Sequence, residues 1–344
     1  MRTAVLEAPG GPDAFKLKDV PVPAYGARDV LVAVRACGVS GRDLAERNGT
    51  YKRHVTFPLV IGLEISGVVE AVGSEVTTLR PGDHVATKAF SSCGLCQYCR
   101  SGRETSCLKR QPVRGGYAEF TALPEDAVVK IPDSIPFEEA CSLGPAAGVA
   151  LNAVRDTAKV TLGEQVLITG ATGGLGVASI QLARLAGARV IALTRSDSKT
   201  TILRDLGADE VVVIPKDGKF SQTILALTNG QGVDVVIDNV GSPVFWESFQ
   251  SLALHGRIAI VGQIVGERVS FNLAHIFFKR AQLLGVGSVS REQLSDAAIL
   301  SAKGLLRSHV DKTLPLEDVV AAHNLIESGT VSGRIVLTMN AKRK

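Results

Sequence analysis

No uncharged apolar run in the 344-residue chain is long enough to span a bilayer. The first segment, MRTAVLEAPGGPDAFKLKD, lacks the apolar stretch of a secretory signal. The expectation is a cytoplasmic protein with no membrane partner. Charge of one sign is also scarce. Lys and Arg number 38 against 34 Asp and Glu, a balance of +4 with both signs interleaved. That excludes the basic footprint of a nucleic-acid binder and leaves an anionic small molecule open as substrate. There is no internal repeat, no low-complexity tract and no Gly-x-Ser-x-Gly elbow for nucleophilic catalysis. Cysteines number only six, which in a reducing compartment suggests metal ligation or free thiols rather than disulfides.

What is present points to two globular domains. Hydrophobic residues make up 45% and charged residues 21%, with 35 glycines for tight turns. Residues 1–130 read as β-rich. Short β-branched runs at 30–35, 65–72 and 127–131 are broken by Gly and Pro. From about residue 145 strands and helices alternate. Strands are expected at 165–169, 189–193, 210–214, 233–237 and 257–261, with helices at 175–186 and 198–206. Alternation of this kind predicts a parallel sheet covered on both faces. The last fifty residues predict helices at 291–307 and 316–327 and a final strand at 333–338. These can complete the first module, which would then be discontinuous.

Between the first strand and helix of the alternating region stands Gly170-Ala-Thr-Gly-Gly-Leu-Gly176. Glycines there let the backbone approach a pyrophosphate and aim helix-start amides at it. The Gly-x-Gly-x-x-Gly pattern is met with Ala171 in the first place, then Gly173 and Gly176. Ala171, Thr172, Gly173, Gly174, Leu175 and Gly176 are the expected phosphate-binding residues; a tight turn without ligand is the bland alternative. An NAD site usually carries an acid at the end of the second strand. Here that place is Thr194, followed by Arg195, Ser196 and Lys199, which can bind a 2′-phosphate by charge-assisted hydrogen bonds. NADPH is therefore expected over NADH, against the alternative of a solvated basic helix start.

Cys93, Cys96, Cys99 and Cys107 follow a spacing that wraps four thiolates around one Zn²⁺. Such a closed site is structural, giving one zinc per subunit. Cys37 and Cys141 fall outside the spacing and read as buried small hydrophobes.

With Ala36-Cys-Gly-Val-Ser-Gly-Arg-Asp43, Gly62-Leu-Glu-Ile-Ser-Gly-Val-Val69 and Leu79-Arg-Pro-Gly-Asp-His-Val85, these features resemble the medium-chain dehydrogenase/reductase superfamily. The resemblance covers essentially the whole chain. It implies an α/β protein: a GroES-like β-barrel catalytic domain at 1–140 and 290–344, with its zinc lobe at 93–107, around a Rossmann domain at 141–289. The active-site cleft would lie between them. It also implies a homodimer or homotetramer paired through a Rossmann edge strand, here near 283–289.

The departures from the family pattern carry information. Zinc-dependent members place catalytic-zinc ligands where this chain has Ser40, Leu63 and, near the third position, Pro145. Leucine and proline cannot ligate, so loss of the catalytic metal is expected. Without a Lewis acid, simple alcohol oxidation is disfavoured. Hydride addition to a conjugated acceptor is easier, because hydrogen bonds can hold the resulting enolate. The resemblance therefore implies an NADPH-dependent reductase of an activated C=C bond, an enone or an enoyl-CoA thioester such as acryloyl-CoA. An NADPH:quinone oxidoreductase and a non-catalytic NADPH-binding protein are the alternatives. Details around Arg42-Asp43, residues 235–241 and Trp246-Glu-Ser-Phe249 are similar to the archaeal acryloyl-CoA reductase branch.

By the same resemblance Tyr51 stands beside the substrate as a hydrogen-bond or proton donor, or is a half-buried barrel tyrosine. Ser40 and Arg42 can orient the substrate oxygen, with a purely structural Arg42 as the other reading. Glu64 is expected to pair with a base. Asn239, Val240, Gly241, Val261, Gly262 and Gln263 end Rossmann strands, where the cofactor's ribose and nicotinamide lie. Ser288 is expected at the carboxamide. Lys52, Arg53 and His54 form a basic cluster for a CoA phosphate or a solvated loop.

Overall fold

The computed structural model describes residues 1–51, 55–263 and 266–340. It divides into two compact units, Met1–Gly148 with Ser288–Lys344, and Val149–Gly287. The basic cluster Lys52, Arg53 and His54 lies outside the described residues. Among the described residues no helix is long and apolar enough to cross a membrane.

The first unit is organised by the strand Asp29–Val39, whose β-branched run is buried along nearly its whole length. It pairs antiparallel with Glu64–Val72, with Phe120–Pro124 and with Arg334–Thr338. His84–Thr87, Val128–Lys130 and Val310–Pro315 extend the sheet to seven strands. Gly67 permits the central pairing: a Cβ there would stand 2.2 Å from the Ala33 carbonyl oxygen. The C-terminal strand thus lies in one sheet with strands of the N-terminal third. Val32, Val34, Ile65, Tyr117, Ile335 and Leu337 belong to one buried core. Inside it Arg47 donates to His323 Nδ1 at 3.1 Å, and Tyr117 OH lies 3.1 Å from His323 Nε2. A guanidinium only donates, so Nδ1 is the lone-pair nitrogen and Nε2 carries the proton.

Two expectations here are corrected. The helix predicted over 291–307 stops at Ala302, because the chain turns at Gly304 with φ +69°. The strand Val310–Pro315 that follows was not anticipated; it is mostly polar and exposed and carries no hydrophobic alternation.

In the second unit six parallel strands run in the order Glu210–Val213, Arg189–Thr194, Gln165–Ile168, Val233–Asp238, Leu252–Ile260, Gln282–Gly285. The order reverses between Gln165–Ile168 and Val233–Asp238. In such sheets that reversal opens a crevice at the carboxyl ends of the strands. The helix predicted over 198–206 is a 3₁₀ turn, Asp197–Lys199, leading into Thr200–Asp205. The run from Leu143 to Thr157 contains two π-helical turns, Leu143–Gly148 and Asn152–Thr157. Pro145 offers no N–H to the first of them, and the amides of Ala146 and Ala147 both go to the Ser142 carbonyl, at 3.2 and 3.0 Å.

Candidate functional site

The four lobe cysteines converge as their spacing predicted. Their sulfurs lie within 4.8 Å of one another, with Cys96–Cys99 at 3.5 Å, Cys93–Cys107 at 3.6 Å and Cys93–Cys99 at 4.0 Å. Zinc–sulfur bonds of about 2.3 Å require tetrahedral edges of about 3.8 Å, so the set fits Zn²⁺. The backbone supports thiolates. Amides of Cys93 and Lys109 donate to Cys107 Sγ at 3.3 and 3.4 Å. The Cys99 amide leads the groups that bring the Cys96 thiol down to about 6. Held this way, zinc would fasten a loop whose only helical pieces are Gln97–Arg100 and Glu104–Ser106.

Ser40, Arg42 and Tyr51 gather around the helix Gly41–Arg47. Ser40 caps it: its Oγ accepts from the Asp43 amide at 3.4 Å, and Asp43 Oδ2 accepts from the Ser40 amide at 2.8 Å and the Ser40 hydroxyl at 2.6 Å. Asp43 Oδ1 accepts from the Gly62 amide at 3.1 Å. The first and second sequence motifs are therefore tied through this carboxyl. Burial raises it to about 7, against the opposing pull of the Ser40 hydrogen bonds. Arg42 is an ion-pair partner of buried Glu46 at 3.0 Å, and Arg114 reaches the same carboxylate at 3.0 Å. The Arg42 guanidinium lies 4.8 Å from the Tyr51 ring centre and 4.9 Å from that of Phe90, where Arg110 also stacks at 4.8 Å. Arg42 is thus a fixed cation with an aromatic seat, and half-buried Tyr51 is part of that seat. Sequence reasoning missed Phe90, Arg110 and the acid of Asp43. The Ser-x-x-Asp spacing ahead of a helix was the available signal for the last.

Leu63 is 5% exposed, and its carbonyl accepts from Thr87 Oγ1. Glu64 receives two hydrogen bonds from Arg334 and has the basic partner expected of it. Cys37 and Cys141 are fully buried. Burial pushes both thiols well up, so they are inert small hydrophobes, as expected. Ser288 falls in the first unit, lining a small cavity with Lys88, Phe90, Arg110 and Val289.

The glycine loop separates two roles. Gly176 is required by packing, since a Cβ there would lie 2.3 Å from the Gly170 oxygen. At Gly173 a Cβ would meet nothing nearer than that oxygen, at 3.6 Å, and φ is an ordinary −81°. The protein's own packing leaves this cradle open, and the helix Gly174–Leu185 begins there with no side-chain cap. Ala171, Thr172 and Leu175 frame the loop. The space and the free helix-start amides fit a dinucleotide pyrophosphate. Thr194 is buried at the strand end, bonded in both directions to the Ser196 backbone at 3.1–3.2 Å. Arg195 is exposed, with no ion pair among the described residues, whereas Lys199 is 9% exposed and so no solvated helix start. Asn239 Nδ2 donates to the Thr169 carbonyl, while its buried Oδ1 has no partner among the described residues. Val240 and Gly241 donate backbone amides to Asp238, and Val261 and Gly262 to its carbonyl. Gln263 also caps the helix Ser242–Gln250, through the Ser242 amide and hydroxyl, each at 2.9 Å.

A parallel sheet in this order, with a glycine loop at its reversal, defines a nicotinamide-dinucleotide fold joined to a second, β-rich unit. Residues 26–133 match the alcohol dehydrogenase GroES-like domain and residues 174–303 the zinc-binding dehydrogenase domain. The chain belongs to the medium-chain dehydrogenase/reductase superfamily and is an oxidoreductase. It is 30% identical to an acryloyl-coenzyme A reductase of Sulfurisphaera tokodaii over 96% of this chain and 98% of that one. An alcohol dehydrogenase of Geobacillus stearothermophilus is 34% identical over 99% and 100%. The crystal structure of AibC superposes with a TM-score of 0.92 at 38% identity, covering 98% of this chain and 95% of that one.

Proposed function

We propose that the chain is an NADPH-dependent reductase that adds hydride to an activated C=C bond, in an enone or an enoyl-CoA thioester such as acryloyl-CoA. The observation that carries this reading is the residue set Ser40, Leu63 and Pro145, in which two side chains offer no donor atom and Leu63 is packed away. Among the described residues the four-cysteine lobe is the one group of three or more His, Cys, Asp or Glu side chains close enough to hold a metal. Bound NADPH would supply the hydride. The protein's part is to seat the pyrophosphate on residues 171–176, take the 2′-phosphate with Arg195, Ser196 and Lys199, and hold the ribose and nicotinamide with Asn239–Gly241, Val261–Gln263 and Ser288. Arg42 and Tyr51 supply positive charge and a hydroxyl donor for an acceptor's oxygen, with the Ser40 hydroxyl as the further donor at the site, so charge spread over an enolate is stabilised without a metal.

Steady-state NADPH oxidation with acryloyl-CoA, crotonyl-CoA, cyclohexenone and a benzoquinone tests the reading. Turnover of the thioesters or the enone is expected. Turnover of the quinone alone would make the protein a quinone reductase. Tight NADPH binding with no turnover of any acceptor would make it a non-catalytic binder. The same reading takes the enzyme as cytoplasmic. It also takes it as a homodimer, or a homotetramer of such pairs, joined along the edge strand Gln282–Gly285, beside which Phe277 and Phe278 are exposed. Light scattering of the purified protein checks the assembly.

A further inference from the structure

We propose that Ser40 and Asp43 form a two-residue proton donor, in which Ser40 gives its hydroxyl proton to the carbon left negative by hydride addition and Asp43 replaces it. The inference rests on the reductase reading above. The geometry that carries it is the 2.6 Å contact between Ser40 Oγ and Asp43 Oδ2. Asp43 is 0% exposed and Ser40 7%, so Ser40 is the more accessible residue of the pair. A helix cap alone is served by an ionised carboxylate. This one is set against ionisation instead. Among the described residues it has no ion pair, and Glu46 on its own helix and Glu64 on the neighbouring strand both add negative charge. The Cys37 thiol and Tyr117 phenol beside it are buried and uncharged. Arg47 and Arg334, the nearby cations, are committed to Glu327 and Glu64. Burial above all, with Glu64 and Glu46 adding to it against the Ser40 hydrogen bonds, raises the carboxyl to about 7, so a large fraction of it is protonated near neutrality.

The step balances. Hydride forms a C–H bond at the acceptor's β-carbon, and its electron pair becomes the enolate. The α-carbon then takes the Ser40 proton: a second C–H bond forms and the Ser40 O–H bond breaks. The Asp43 Oδ2–H bond breaks as its proton passes to Ser40 Oγ, restoring the hydroxyl. Asp43 is left as a carboxylate held by three donors, the Ser40 amide, the Ser40 hydroxyl and the Gly62 amide. Those donors make release of the proton feasible in spite of burial. After product leaves, water returns one proton through Ser40.

The test is the pH profile of kcat for crotonyl-CoA reduction by NADPH, in wild type, Asp43→Asn, Ser40→Ala and Ser40→Thr. In wild type kcat falls above about pH 7. Asp43→Asn loses that alkaline limb and at least about 10²-fold in kcat. Ser40→Ala loses as much, and Ser40→Thr, which keeps the hydroxyl, restores most of it. NADPH binding by fluorescence titration stays within about twofold in each variant, which separates a lost proton donor from a misfolded site. A protonated-carboxyl infrared band near neutral pH, absent in Asp43→Asn, is expected as well. An unchanged limb in Asp43→Asn, or full activity in Ser40→Ala, overturns the relay and leaves the reductase reading standing. A wild type inert toward both crotonyl-CoA and cyclohexenone overturns the reductase reading, and the relay falls with it.

Discussion

Glu64 and Arg334, 270 positions apart in sequence, meet in two hydrogen bonds of 2.7 and 2.8 Å. The carboxylate is almost wholly buried and the guanidinium nearly so. The pair ties the strand Arg334–Thr338 to the strand that begins at Glu64 across Asp29–Val39, which lies between them in the sheet. Removing one partner leaves the other charged in a dry site, which costs about 3–5 kcal/mol. Arg334→Leu should therefore lower the unfolding free energy in urea by that amount. Replacing both residues with apolar side chains should recover much of the loss. A single-variant cost below about 1 kcal/mol, the range of exposed pairs, would mean that water reaches the site.

The first unit holds two oppositely shifted groups, and their effects on stability oppose each other. Burial, then the Arg47 charge, lowers His323 from 6.5 to about 3. Below pH 6.5 the unfolded chain takes a proton that the folded one refuses, so stability from this group is present above 6.5 and is lost toward pH 3. Asp43 is raised from 3.8 to about 7. Its stabilising contribution is complete below 3.8 and is lost as pH rises through 7. Between about pH 4.5 and 6.5 the two slopes cancel. Asp43→Asn should expose the His323 slope, a loss of up to about 1.4 kcal/mol per pH unit of acidification. His323→Phe should show the reverse slope. Chemical denaturation across that range measures both.

Metal analysis should find one zinc per chain. Cys107→Ala or prolonged chelation should remove it and lower the melting temperature by several degrees, because the lobe has little apolar core to replace the metal. Two zincs per chain would contradict the roles assigned to Ser40, Leu63 and Pro145.

Arg195→Ala should raise the KM for NADPH by roughly 10- to 100-fold, the worth of one or two charge-assisted hydrogen bonds, and leave the NADH KM nearly unchanged. Equal effects on both cofactors would remove the 2′-phosphate assignment. Because Lys199 is packed down, its replacement should also cost stability, so the Arg195 variant is the cleaner measurement.

Features that declare themselves over short spans were legible in the sequence. The four cysteines, the glycine loop and the buried strands Gln165–Ile168 and Val233–Asp238 each lie within a few residues and obey a strict steric or coordination rule. The strand Val310–Pro315 was not legible, since an exposed edge strand needs no hydrophobic period. Neither was Gln263 as a helix cap, which depends on where Ser242 falls 21 positions earlier. The Arg47–His323–Tyr117 cluster spans up to 276 positions and leaves no local trace. At the candidate site the residue types were readable but their charge states were not. Asp43 became an acid of interest only once Glu46, Glu64 and Gly62 were seen around it.

The closed-off position of Leu63 bears on how a metal site could be engineered into this chain. It would require a thiol at 40, an imidazole at 63 and a donor in place of Pro145, which lies in a π turn. Each step taken alone puts a polar group into a packed site, or removes the Ser40 hydroxyl that Asp43 now holds, before any ion is there to repay the change. On the proposed reading, each single substitution toward a metal site would therefore cost stability before an ion could bind, so such a site could be built only by changing all three positions together.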